Sequence, residues 1–160
     1  MTTIPFAGVR IGRASTYDKG IPFARNVGYT GFAKSLFTQD WFDGGSTEFA
    51  LAKLLEDTEE VAYWLRLQTG DLPLAWAGDA RAYNPDFIVV DVAGTHWVVE
   101  GKADDTANDT DVIAKRDAAF RWAVHVSAAT GTPWRYLFVR ESDIETAKGS
   151  WAVLKRLAGA

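Results

Sequence analysis

The chain has no cysteine among its 160 residues. That excludes disulfides, thiolate metal sites and a thiol nucleophile, and it fits an intracellular protein. Nor is there an apolar run near the ~20 residues that a membrane span needs. The N-terminus lacks the basic-then-apolar pattern of a secretory leader, so the expectation is a cytoplasmic protein. No Gly-x-x-x-x-Gly-Lys-[Ser/Thr] loop occurs, which excludes a nucleotide-driven motor of that type within this chain. Internal repeats and low-complexity tracts are also missing. The two histidines, His96 and His125, are too isolated to suggest a metal pair. Ser15, Thr16 and Ser127 have no base nearby in sequence, so no nucleophilic triad is visible.

What is present is an ordinary globular composition, 48% apolar and 24% charged, with seven tryptophans. The length suits one domain with a bulky, aromatic core. Net charge is −4, which argues against a strong unaided grip on nucleic acid. The charge is uneven. Residues 1–40 carry Arg10, Arg13, Lys19, Arg25 and Lys34 against two acids, and the remainder is acidic. This reads either as a solvated acidic surface or as a basic edge beside an acidic pit.

Residues 1–45 are rich in glycine and aromatics without clear periodicity. They read as a loop-rich segment that is packed on, or leads into, a domain covering 46–160. From residue 46 the signals sharpen. Ser46 or Thr47 is placed to cap a helix running to about Glu56, with Leu51, Ala52, Leu54 and Leu55 as its apolar stripe and Glu48 heading the buried face. Residues 61–67 read as a strand and 72–76 as a shorter one. Residues 85–91 and 95–102 form a strand pair joined by Val92-Ala93-Gly94, the glycine supplying the left-handed turn position. A helix over 108–128 follows, with a stripe of Val112, Ala119, Trp122 and Val126. Next come a strand over 134–140, a capping-box pattern at Ser142-Asp143-Ile144-Glu145 and a last helix over 150–157. The pattern predicts an α/β fold, with a mixed sheet flanked by helices on both faces.

If the hairpin closes at Ala93, Ile88 faces Val98 and Asp86 faces Glu100. Partners directly opposite share a sheet side, and Lys102, two residues beyond Glu100, joins them. The runs Phe-Ile-Val-Val (87–90) and Trp-Val-Val (97–99) read as buried strands, so these charges sit at the rim of a buried sheet. Two carboxylates that close repel, and a divalent cation removes the conflict. Such acids suit Mg²⁺ or Mn²⁺, which polarises a phosphodiester and lowers the pKa of a bound water. Lys102 is then the point charge that orients water or offsets charge on phosphorus. Lys115 falls on the inward stripe of the long helix and is either snorkelling or serving the site. Taken alone, Glu48 reads equally as a helix N-terminal acid. The bland alternative is a turn aspartate and a cross-strand ion pair worth under ~1 kcal/mol.

Tyr83-Asn84-Pro85-Asp86 followed by Val98-Val99-Glu100-Gly101-Lys102 resembles the PD-(D/E)XK nuclease signature. Asp86 matches its aspartate, Glu100 its acidic position and Lys102 its lysine. Glu48 matches the glutamate that many members carry on the first helix. The order of elements resembles that family's restriction-endonuclease-like αβββαβ core. Gly-Phe-Ala-Lys-Ser-Leu-Phe (31–37), Asp-Trp-Phe-Asp (40–43) and Tyr-Asn-Pro-Asp-Phe (83–87) further resemble the C-terminal endonuclease domain of type III restriction-type helicase-nuclease subunits. The resemblance implies a Mg²⁺-dependent DNA endonuclease, with Asp86, Glu100 and Glu48 around the metal and Lys102 and Lys115 assisting. It also implies a helicase or ATPase partner outside this chain. Double-strand cleavage would call for a homodimer or a tethered second site. The alternative is a catalytically inactive module of the same fold that binds DNA or protein.

Overall fold

A computed structural model of the chain describes residues 3–6, 10, 12–42, 45–78 and 81–160. The N-terminal part folds into a small sheet of three short strands, β1 (Arg13–Thr16), β2 (Val27–Thr30) and β3 (Gln39–Trp41). β1 and β2 are parallel, β2 and β3 antiparallel. Glycine matters here for close approach: a Cβ at Gly12 would lie 1.9 Å from the Asn26 carbonyl oxygen. Helix α1 (Ser46–Asp57) buries Phe49, Leu51, Ala52, Leu54 and Leu55. Its cap differs from expectation. Gly45 is the N-cap at φ 112°, and no side chain caps the helix, so neither Ser46 nor Thr47 serves. Glycine alone takes that backbone angle without strain.

Strand β4 (Val61–Arg66) follows, then a hairpin of β5 (Leu74–Trp76) and β6 (Arg81–Tyr83). β6 has no sequence signal, being three residues with two exposed. The central hairpin is β7 (Phe87–Asp91) and β8 (His96–Lys102), in the register Phe87↔Val99, Ile88↔Val98, Val89↔Trp97, Val90↔His96. Gly94 takes φ 87° in the turn. Asp91 clamps the turn, its Oδ1 accepting from the Ala93 and Thr95 amides at 3.0 Å each. Its Oδ2 accepts from Trp97 Nε1 at 2.9 Å.

Helix α2 (Thr110–Thr130) runs two residues past the expected end and stops at Gly131, φ 73°. Its buried face is Ala118, Ala119 and Ala123. Of the expected stripe only Ala119 is buried, while Val112, Trp122 and Val126 are half-covered. Three alanines let the helix lie close to the sheet, a contact that hydrophobic weight alone does not signal. Strand β9 (Trp134–Arg140), α3 (Glu141–Ala147) and α4 (Trp151–Leu157) complete the fold. The Ser142–Glu145 box is not formed: α3 starts at Glu141, and Asp143 Oδ2 accepts from the Arg140 amide at 2.9 Å. Ser150 does cap α4, accepting from the Val153 amide at 3.2 Å.

The central sheet has the order β4-β7-β8-β9, with only β8 and β9 parallel. At the β4 edge the N-terminal segment runs alongside. Trp64 N–H donates to the Lys34 carbonyl at 2.9 Å, and the Trp64 carbonyl accepts from Leu36 N–H at 2.9 Å. One face of the sheet, with Phe87, Val89, Trp97, Val99, Leu137 and Val139, packs with α1, α3 and α4 into one core. Val27, Tyr29, Phe32 and Phe42 join that core around Phe49, so much of residues 1–45 is core rather than linker. The opposite face carries Val98, Glu100, Tyr136 and Phe138. It meets α2 through the Arg116 guanidinium, 4.3 Å from the Phe138 ring centroid, and through the edge-on pair Trp122–Trp134. The architecture is thus mixed α/β, with helices on both faces of the four-stranded sheet. Among the described residues no helix is long and apolar enough to cross a membrane.

Candidate active site at the rim of the central sheet

The β7–β8 ladder ends at Phe87↔Val99, so Asp86 and Glu100 are the next opposed positions. The backbone does not simply continue. Gly101 N–H donates to Asp86 Oδ2 at 2.9 Å. The carboxylate thus takes the place of a strand partner where β7 turns away. β8 stays paired with β9 through Lys102↔Arg140, so Gly101 does not disturb the register. A Cβ there would meet Thr47 and Leu51 of α1 at 3.4 and 3.6 Å, ordinary contact distances.

Glu100 is 4% exposed, and Tyr136 OH donates to its Oε2 at 2.9 Å. Burial pushes its carboxyl above the ordinary range. The Tyr136 hydrogen bond, Lys102 and Lys115 oppose that rise, and Glu48 adds to it. Asp86 is likewise raised, by burial first and then by the Glu48 charge. Arg66 and the Gly101 amide pull it down, and Glu100 pushes it up. The groups that the motif names therefore act on one another. Lys102 is half-buried on the Glu100 side. Lys115 Nζ lies 4.9 Å from the Trp76 ring centroid and 5.7 Å from that of Tyr83. Its backbone carbonyl accepts from Tyr83 OH at 3.0 Å. The ammonium is thus held against two rings near Glu100, not extended into solvent.

Glu48 approaches from the other side of the sheet, on α1, and its partner is a residue that no motif indicated. Arg66, 6% exposed, donates from Nη2 to Glu48 Oε2 at 2.5 Å. Its Nη1 donates to the carbonyls of Leu67 at 2.6 Å and Asp86 at 3.0 Å. The guanidinium also sits 5.5 Å from the Phe87 ring centroid. Arg66 thus fixes the Glu48 carboxylate and the Asp86 main chain together. Arg66 closes an apolar strand, where sequence periodicity gives no sign of an acidic partner. Tyr136 likewise sits inside an apolar strand and is unmarked by any motif.

A cavity of about 300 Å³ opens beside this rim, lined by Glu48, Arg66, Asn84, Pro85 and Asp86 among others. Glu100 and Lys102 lie on the α2 side and do not line it. Among the described residues, no three His, Cys, Asp or Glu side chains converge closely enough to hold a metal ion. The electrostatics nonetheless suit a cation. Two buried carboxyls raised by burial and by like charge gain from a positive ion, and Mg²⁺ needs only one or two carboxylates besides waters and phosphate. Comparison with known proteins gives no further guide, since no family model, curated protein or solved structure matches the chain.

Proposed function

We propose that the chain is a Mg²⁺-dependent DNA endonuclease of the PD-(D/E)XK type, with a restriction-endonuclease-like core formed by α1, β4, β7, β8, α2 and β9. The observation that carries this reading is the β7–β8 register. Extended one step past Phe87↔Val99, it would set Asp86 opposite Glu100, with Lys102 on the Glu100 side. Asp86 and Glu100 would hold the ion. Glu48 joins them only by giving up Arg66. Bound there, Mg²⁺ or Mn²⁺ would polarise the phosphodiester and lower the pKa of an attacking water. Lys102 orients that water or offsets the charge gathering on phosphorus. Lys115, steadied by Trp76 and Tyr83, supplies a second cation. Tyr136 and the Gly101 amide fix the two carboxyl groups before substrate arrives, which lowers the reorganisation needed. On this reading the basic residues of 1–40 contact DNA, and an ATP-driven helicase or translocase brings it. The protein then acts in the cytoplasm, within a restriction or defence system, and a double-strand cut uses two copies of the site.

Nicking of supercoiled plasmid tests the proposal. With Mg²⁺ or Mn²⁺ the wild type should nick, and Asp86→Ala or Lys102→Ala should lower the rate at least ~100-fold, as expected when a group acting on the transition state is lost. Equal nicking by wild type and Asp86→Ala rejects it.

One observation favours a second reading, a binding module of the same fold without catalysis: Glu48 is already neutralised by Arg66. A divalent ion separates the two readings. An active site gains thermal stability from Mn²⁺ that Asp86→Ala and Glu100→Ala remove. Stabilisation indifferent to both substitutions supports the module.

A further inference from the structure

A groove of about 450 Å³ runs along the outer edge of β9, with α2 on one side and residues 158–160, just past α4, on the other. Its helical wall is apolar and open, with Phe120 60% and Val124 57% exposed. Its floor is β9, the last strand of the sheet. Along a strand, successive peptide groups point to alternate edges. The Pro133 carbonyl accepts from His96 N–H of β8 at 2.9 Å, so odd-numbered residues face β8. Trp134 N–H turns outward to Ser127 Oγ at 2.8 Å, and Arg140 N–H to Asp143 Oδ2 at 2.9 Å. Tyr136 and Phe138 share that outward direction. Among the described residues, neither makes a main-chain hydrogen bond across this edge. The edge is tied off at both ends and open in the middle.

The charged side chains that line it are of one sign. Arg116 and Arg135 line the groove and no acidic side chain does, in a chain of net charge −4. Neither arginine is in an ion pair among the described residues. Arg135 and Lys155 sit over the Trp97 ring, 4.6 and 5.5 Å from its centroid.

The geometry points to this groove as the docking site for an extended, acidic and apolar segment of a partner protein, which adds a strand to β9. A peptide backbone offers the donor and acceptor pairs that Tyr136 and Phe138 lack. Its apolar side chains then face Phe120 and Val124, and alternate acids face Arg135 and Lys155. A nucleic-acid strand presents mainly phosphate acceptors and leaves the two outward carbonyls unmatched. A second copy of the chain would bring two more arginines against these two, with no acid between them. The inference stands independently of any cleavage activity.

The probe is a fluorescein-labelled heptapeptide alternating glutamate with valine and phenylalanine, EVEFEVE. Saturable anisotropy is expected, weakened at least tenfold by Arg116→Glu with Arg135→Glu. Hydrogen exchange should show new protection at the Tyr136 and Phe138 amides when the peptide binds. Phe120→Asp, on the open helix face, should weaken binding likewise, and it serves should the arginine variants misfold. Equal binding of the lysine counterpart KVKFKVK overturns the inference. So does displacement of the peptide by oligothymidine, or a dimer in which those two amides are already protected. Binding without protection at residues 136 and 138 overturns it too.

Discussion

The two faces of the central sheet solve different problems with the same strands. Toward α1, α3 and α4, β8 presents Trp97 and Val99 to the hydrophobic core. Toward α2 it presents Val98, Glu100 and Lys102, and the covering helix buries only alanines. Strand alternation makes this division possible, since one register sends each side chain to a fixed face. The apolar face holds the fold. The polar face can then carry buried charge that the fold does not need. Apolar packing and the buried acid Glu100 thus fall on opposite parities of β8, and substitution can test how far they are separable.

The largest effect should come from the apolar face. Trp97→Ala is expected to cost about 3–5 kcal/mol, the range for a large core aromatic. Urea denaturation measures it, and a loss under 1 kcal/mol would mean that the face is not the principal core. Next is the rim, where the faces meet. Arg66→Met removes the guanidinium that bonds Glu48 at the rim and should cost about 3 kcal/mol. Glu48→Gln in the same chain should recover most of that loss, because no stranded charge then remains. A double-mutant cycle without coupling would show that Arg66 acts through packing alone.

The last test is the pH dependence of the polar face, where the sign is what is predicted. Asp86 and Glu100 are both raised above the ordinary carboxylate range. Above pH ~4 the unfolded chain releases protons that the folded one retains, so stability falls as pH rises through that window. Asp86→Asn with Glu100→Gln should flatten the slope without removing it. Asp40, buried against Ser35 and pushed up to about 7 by burial, contributes with the same sign. A profile identical to wild type would place the titrating groups elsewhere.

The sequence made the central hairpin legible, down to its register. Two continuous apolar runs flank a glycine suited to the turn, and the short connection fixes which residues oppose each other. β9 was legible for a similar reason. The N-terminal sheet was not, because β1 pairs with β2 across a long loop and neither strand exceeds four residues. The inner face of α2 was misjudged because alanine contributes closeness rather than hydrophobic weight. Within the candidate site, Asp86, Glu100 and Lys102 follow from register and spacing. Arg66 does not, because its partner lies on α1, and what joins them is the packing of that helix against the sheet. Tyr136 escapes for the same reason, since parallel pairing with β8 sets it beside Glu100.

The segment at 34–36 occupies the β4 side of the sheet, whereas among the described residues no strand pairs with the outer side of β9. The sheet can therefore be lengthened in one direction only. Any strand that joins it, whether a regulator, a tether or an aggregating copy, must arrive beside α2. That border and the cavity beside Glu48 and Asp86 have no lining residue in common.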